Sequence, residues 1–285
     1  MPSRRQDFIA PAGRLQALFA LPRTASAAAV GLLLYASFLR RGVGEGRALA
    51  AALPFVVAAA AGAMLNDYHD RDRDAIDKPW RAIPAGHVRA GFVAPVAFLM
   101  IGGAAVGSLA VGYSRAQLAM AWAALLGVSC YHLVIRRAAA LKAPYIAILT
   151  SLPVACAFAG TSVSTFRPMV ATITFVCGRE LLMDVLDVAG DAATESRTVA
   201  VRLGASACST LGFLMLAVGA ALFGPAIAAR EGAFANVIVA LVLGAALALW
   251  GFRPGTRRVV IYLLWLPLLV GLGVLVRQLE SATAN

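Results

Sequence analysis

The chain has 285 residues, of which 61% are hydrophobic and 14% charged, against roughly 25% charged in an average soluble domain. That balance excludes an ordinary soluble protein and leaves no room for a separate soluble domain. The formal net charge is +11, but the basic residues sort by position along the chain, as they do beside a membrane, so no nucleic-acid partner is expected.

Residues 1–23 read as a cytoplasmic N-terminal segment. The run SRRQDF at Ser3–Phe8 lacks the spacing of a twin-arginine signal, so the first apolar helix is expected to be retained. From residue 24 to 285 the chain reads as one transmembrane domain. Stretches long enough to cross a bilayer, about 20 residues each, fall at 24–42, 48–66, 90–112, 115–135, 143–163, 168–188, 205–229, 233–252 and 259–277. Backbone polar groups in lipid must be satisfied within each span. The expected fold is therefore an all-α integral membrane bundle of about nine transmembrane helices.

With the N-terminus in the cytoplasm, segments 1–23, 67–89, 136–142, 189–204 and 253–258 carry 17 of the 25 Lys and Arg residues, and the opposite side carries 7. Arg179 lies inside a helix. This is the positive-inside bias, with Arg40, Arg41 and Arg47 as its main exceptions. An Ala-rich chain with 23 Arg and 2 Lys suggests a multi-pass protein of a bacterial inner membrane. The four cysteines, Cys130, Cys156, Cys177 and Cys208, have no metal-ligand spacing and read as small buried hydrophobes.

The first acidic cluster follows the second span: NDYHDRDRDAID, Asn66–Asp77. Asp67, Asp70 and Asp74 are spaced to share one helical face, with Asp72 on the other side. Asp184, Asp187 and Asp191, in DVLDVAGD, repeat the spacing D-x2-D-x3-D at the end of the sixth span, and Glu180 extends that stripe by a turn. Like charges stacked on one face repel, so a bound cation is the natural compensation. Carboxylates without His or Cys partners are hard donors suited to Mg²⁺. An EF-hand is excluded, because Arg81 stands where its bidentate Glu belongs. Two facing stripes would hold Mg²⁺ with a diphosphate between them. The same edge supplies cations for that diphosphate: Lys78, Arg81, Arg89, Arg136, Arg137, Lys142, Arg197 and Arg202. The polar head of an amphiphile would sit here, with its apolar tail in the membrane lipid region below.

These residues also carry a family pattern. NDYHDRDRD (Asn66–Asp74) resembles the N-D-x-x-D-x-x-x-D motif of the UbiA-type intramembrane prenyltransferases, and DKPWRAIPAG (Asp77–Gly86) is similar to the Lys-Pro-x-Arg-Pro-x-Pro-x-Gly run that follows it. DVLDVAGD (Asp184–Asp191), continued by TVAVRLG (Thr198–Gly204), resembles the second aspartate motif. Within the family the motifs look most like those of the digeranylgeranylglyceryl phosphate synthase branch. LPRT (Leu21–Thr24) lacks the family's usual first-helix Arg and Asn, Ala82 replaces a usual Pro, and Glu195 stands where Gly is common. The resemblance implies a bundle with a central cavity, Mg²⁺-dependent use of a polyprenyl diphosphate, and prenyl transfer to an aromatic or lipid acceptor.

The metal ligands expected are Asp67, Asp70, Asp74, Asp184, Asp187 and Asp191. Asp70, Asp187, Arg81, Lys78 and Tyr131 are expected to serve catalysis. Asn66, Lys78, Arg81, Arg136, Arg137, Lys142, Arg197 and Arg202 are expected to bind the substrate. Metal neutralises the diphosphate, the allylic C–O bond breaks, and aromatic faces hold the carbocation; Tyr68, Trp80, Tyr131 and Phe175 are placed for that. His69, a possible acceptor base if it faces the cavity, shows no ligand spacing with His87 or His132. Two other readings fit parts of the pattern: a terpene cyclase that captures the cation intramolecularly, and a cation transporter.

Overall fold

The computed structural model describes residues 24–160, 166–231, 233–252 and 254–270, so the N-terminal segment 1–23 lies outside the described residues. Twelve α-helices run in the order α1 Thr24–Arg40, α2 Glu45–His69, α3 Arg71–Asp77, α4 Ala90–Leu109, α5 Arg115–Arg137, α6 Lys142–Phe158, α7 Phe166–Leu186, α8 Val188–Ala193, α9 Val199–Leu203, α10 Ala205–Glu231, α11 Ala233–Phe252 and α12 Arg257–Leu263. No strand occurs among the described residues.

Within the described residues each expected span coincides with a helix, but their characters differ. Among the described residues five helical segments are long and apolar enough to cross a membrane: Glu45–His69, Ala90–Leu109, Arg115–Arg137, Ala139–Phe158 and Ala205–Pro225. The apolar parts of α1 and α11, Ala27–Arg40 and Asn236–Gly251, are shorter. Helix α7 has the length, yet Arg167, Arg179, Glu180 and Asp184 interrupt its hydrophobicity. The last expected span begins in α12 and continues helically over 265–270, and its end lies outside the described residues.

Burial places α2 and α7 inside the bundle. Along α2, Ala48, Ala51, Ala52, Phe55, Ala58 and Ala61 are buried, and α1, α4 and α5 pack around it. Small side chains let helices approach where lipid offers no hydrophobic drive. Helix α4 instead points Leu99 and Val106 outward, 77% and 71% exposed, as a lipid-facing helix should.

The most extensive pairing joins α7 to α10, and glycine makes it possible. A Cβ on Gly178 would lie 2.5 Å from the Gly212 carbonyl oxygen and 2.9 Å from the Leu216 nitrogen. On the facing helix, a Cβ at Gly219 would meet the Phe175 nitrogen at 2.7 Å. These are backbone atoms that no rotamer change can move aside. The crossing fixes the helix that carries Glu180 and Asp184.

Gly178→Val is accordingly expected to force α7 and α10 apart and to cost about 1–3 kcal/mol, the usual range for overpacking. Thermal unfolding in detergent measures it, and a melting temperature equal to wild type would contradict this crossing.

Candidate active site

Both acidic motifs bend at their middle aspartate. Asp70 lies between α2 and α3 with φ −85° and ψ 0°, and Asp187 lies between α7 and α8 with φ −99° and ψ 5°. Both occupy the sparsely allowed bridge region, where many active-site residues sit. The helical hydrogen-bond rhythm nevertheless continues through each bend. Asp70 N–H donates to the Asn66 carbonyl at 2.8 Å and Asp74 N–H to the Asp70 carbonyl at 2.7 Å. Asp187 N–H donates to Met183 at 3.1 Å and Asp191 N–H to Asp187 at 2.9 Å. Each stripe therefore keeps to one side: Asp67, Asp74, Asp184, Asp187 and Asp191 are buried and Asp70 is half-buried. Asp72, as its position on the opposite face requires, is 82% exposed.

The two stripes meet through cations rather than facing one another bare. Arg73 bridges them: one guanidinium nitrogen contacts Asp191 at 2.6 Å and the other pairs with Asp70. Lys78 reaches across to Asp187 at 2.6 Å. Arg81 holds Asp67 at 2.8 Å and Asp74 at 2.6 Å, and Lys142, from the start of α6, holds Asp184 at 2.6 Å. Asn66 donates its amide to Asp70 at 2.8 Å, and the Thr198 hydroxyl donates to Asp191 at 3.1 Å. The repulsion expected within each stripe is thus relieved by interleaved side chains of the same edge.

Arg73 escaped the reading of spacing, although it stands three residues after Asp70, on the same helical face. Burial works against its charge, but Asp70, Asp191, Asp187 and Asp74 outweigh that and hold the guanidinium above its ordinary pKa. At Asp74 burial wins over Arg81 and Lys78 and pushes the carboxyl up.

Not every expected residue joins the cluster. Arg136 and Arg137 at the end of α5 are exposed, as are Arg89, Arg197 and Arg202, and Arg202 donates to the Arg197 carbonyl at 3.0 Å instead. His69 stacks on His132 with ring centroids 3.6 Å apart. The backbone at Glu195 has φ 55°, the left-handed conformation that favours glycine at a helix end.

Below the charged edge lies a cavity of about 250 Å³, lined by Asn66, Tyr131, Val128, Leu149 and Trp265, with Arg179 and Glu180 among its few other polar groups. Of the four aromatics placed near the carbocation, Tyr131 lines it. Phe175 is packed at the α7–α10 crossing, Tyr68 lies beneath Arg71 at 5.0 Å, and Trp80 beneath Arg258 at 5.0 Å. Asn66 belongs to both regions, so cavity and carboxylates are continuous.

Among the described residues no three acidic, His or Cys side chains form a ready-made metal cage. The donor set still suits a hard divalent ion, because Asp74 Oδ1 and Asp184 Oδ2 are buried without a hydrogen-bond partner and carboxylate oxygens are what such ions take. Admitting an ion requires some of the present ion pairs to open.

Comparison with known proteins agrees with this geometry. The model of the UbiA prenyltransferase family matches residues 24–260. A digeranylgeranylglyceryl phosphate synthase of Natronomonas pharaonis is 32% identical over 216 residues, 72% of this chain and 76% of that protein. One from Methanoregula boonei is 29% identical over 221 residues, 70% and 72% of the two chains. The apo structure of a UbiA homologue from Aeropyrum pernix superposes with a TM-score of 0.71 over 90% of this chain and 99% of that one, at 17% identity, which establishes a shared fold.

The bridge makes a quantitative expectation. Arg73 is 12% exposed and Asp191 fully buried, so Arg73→Ala leaves a buried carboxylate uncompensated and should destabilise the metal-free protein by about 3–5 kcal/mol. Chemical denaturation in detergent containing a chelator reads this, and an unfolding curve superimposable on wild type would contradict the bridge.

Proposed function

The chain belongs to the UbiA prenyltransferase family and is a prenyltransferase of membrane-spanning helices, and we propose that it moves the prenyl group of a polyprenyl diphosphate to a lipid or aromatic acceptor with Mg²⁺. The observation that carries this reading is the convergence of two identically spaced aspartate motifs on one charged cluster at the mouth of an apolar cavity. Its neighbours in sequence are digeranylgeranylglyceryl phosphate synthases, which favours a lipid acceptor.

In this reading Asp67, Asp70, Asp74, Asp184, Asp187 and Asp191 hold the metal. Bound there, Mg²⁺ would supply neutralisation of the diphosphate and make pyrophosphate a better leaving group. Lys78, Arg81 and Lys142, released from their carboxylates, turn to the phosphate oxygens, where charge-assisted hydrogen bonds are stronger than neutral ones. The prenyl tail lies along the cavity. Its C1–O bond breaks heterolytically, the electron pair leaves with pyrophosphate, and the Tyr131 ring face stabilises the allylic cation by about 0.5–2 kcal/mol. The apolar walls keep water away until the acceptor attacks C1. The charge asymmetry of the sequence supports a cytoplasmic location for both motifs in a bacterial inner membrane. A transporter reading is less well supported, since the carboxylates gather at one edge beside phosphate-binding cations.

Because the carboxylates are already ion-paired, Mg²⁺ alone should bind weakly and the diphosphate should complete its site. Mg²⁺ and a non-hydrolysable prenyl thiodiphosphate together are expected to stabilise the protein by more than the sum of their separate effects, by about 2.7 kcal/mol when ligand stands at 100 times its Kd. Thermal unfolding in detergent measures this. Asp187→Asn should abolish the synergy while Asp72→Asn, on the exposed side, should preserve it. Additive shifts, or synergy that survives Asp187→Asn, would mean that the motifs do not share one diphosphate.

A further inference from the structure

One ion pair lies apart from the charged edge. Arg179 and Glu180 are adjacent in α7, with Arg179 Nη1 donating to Glu180 Oε1 at 2.6 Å. Their side chains are 15% and 12% exposed, and both line the cavity. Glu180 stands one helical turn before Asp184, so about 6 Å along the helix axis from the charged cluster. The Arg179 guanidinium packs 4.8 Å from the centroid of the Trp265 ring.

The pair's link to a second helical segment is the Arg179–Trp265 contact, which an uncharged side chain could also supply. Neighbouring charges on one helix in a membrane-embedded bundle are expensive, and well-packed apolar residues commonly replace a buried ion pair without loss of stability. The hydrogen bond of the pair is internal to α7. Moreover, Arg179 Nε is buried without a hydrogen-bond partner, a donor left unused in a cavity wall where an unmade hydrogen bond is costly.

Prenyl transfer to a hydroxyl needs what this pair offers. On the reading of function above the six motif aspartates hold metal during turnover, which makes them poor takers of a proton, whereas Glu180, paired with Arg179, is not among the metal ligands. Glu180 is the remaining acidic side chain lining the cavity. We propose that Arg179 and Glu180 form the acceptor subsite, which takes an alcohol: Arg179 positions Glu180 and donates Nε–H to the acceptor, and Glu180 receives the hydroxyl proton.

The step balances. The prenyl C1–O bond breaks and its electron pair leaves with pyrophosphate. A lone pair of the acceptor oxygen forms the new C1–O bond, and the oxygen's proton passes to a Glu180 carboxylate oxygen. The product is an ether, and no oxidant or reductant is required. The subsite rests on the prenyltransferase reading only for its chemistry, since acceptor binding can be measured without turnover.

The test uses the full chain in detergent, with a long-chain glyceryl ether phosphate bearing one free hydroxyl as probe. With Mg²⁺ and prenyl thiodiphosphate present, probe binding should quench tryptophan fluorescence in wild type and weaken at least tenfold in Arg179→Gln. In Glu180→Gln, with a reactive allylic diphosphate, pyrophosphate release should persist within about threefold while ether formation falls about a hundredfold, the lower range for a lost general base, and the prenyl group should appear as the water-quenched alcohol. The double variant Arg179→Leu/Glu180→Leu should keep the wild-type melting temperature. Absence of probe binding to wild type, equal loss of pyrophosphate release and ether formation in Glu180→Gln, undiminished ether formation there, or unfolding of the double variant would each overturn the subsite. Failure of wild type to release pyrophosphate from any allylic diphosphate would instead sink the prenyltransferase chemistry, and the binding result would still stand by itself.

Discussion

Six carboxylates can crowd one edge of an apolar bundle only because cations of the same edge are threaded between them. Arg73 reaches from the first motif to Asp191 in the second, and Lys78 reaches from just beyond the first motif to Asp187. Arg81 and Lys142 close the outer positions. Without them, five buried aspartates would face large desolvation penalties together with mutual repulsion. With them, the cluster is an ion-paired joint between two halves of the chain more than a hundred residues apart. On the function proposed above, these cations would turn from the carboxylates to the phosphate oxygens when a diphosphate arrives.

The rest of the fold serves this joint. The bends at Asp70 and Asp187 let each motif leave its long helix without losing helical rhythm, so the aspartates stay on the inner side. Alanine on α2 and glycine at the α7–α10 crossing let neighbouring helices hold each motif-bearing helix closely, and the motifs themselves meet through α3 and α8. Beneath them the cavity stays apolar except for a few groups, and those few divide naturally. Asn66 ties the cavity to the charged edge, while Arg179 and Glu180 stand one turn further along. A leaving group, a cation and an acceptor can therefore be handled in sequence along a single axis.

Much of this was legible in the sequence, because its signals depend on periodicity. The spans, the repeated D-x2-D-x3-D spacing and the outward placement of Asp72 follow from helical geometry alone. What periodicity cannot give is reach. Lys78, Arg81 and Lys142 were separable from Arg136, Arg137, Arg197 and Arg202 only once the chain was folded, since all seven sit near the same edge in sequence and only three extend to the carboxylates. Arg73 was hidden for a related reason: a basic residue inside an acidic run looks like charge balance until its partner, Asp191, is seen beside it. Phe175 and Tyr131 were equally plausible by position, but the glycine crossing claims the first for packing and leaves the second on the cavity wall. Glu195 occupies a left-handed position, which gives a conformational reason for the glycine common there in the resembled family.

The central claim is that the two motifs act as one site, and a double-mutant cycle on pyrophosphate release addresses it most directly. Release from an allylic diphosphate with Mg²⁺ would be measured for wild type, Asp70→Asn, Asp187→Asn and the double variant. If one diphosphate is held jointly, each single change abolishes most of the release and the double variant is no worse than the more damaged single. Independent, additive losses, or substantial release with either motif disabled, would contradict a shared site.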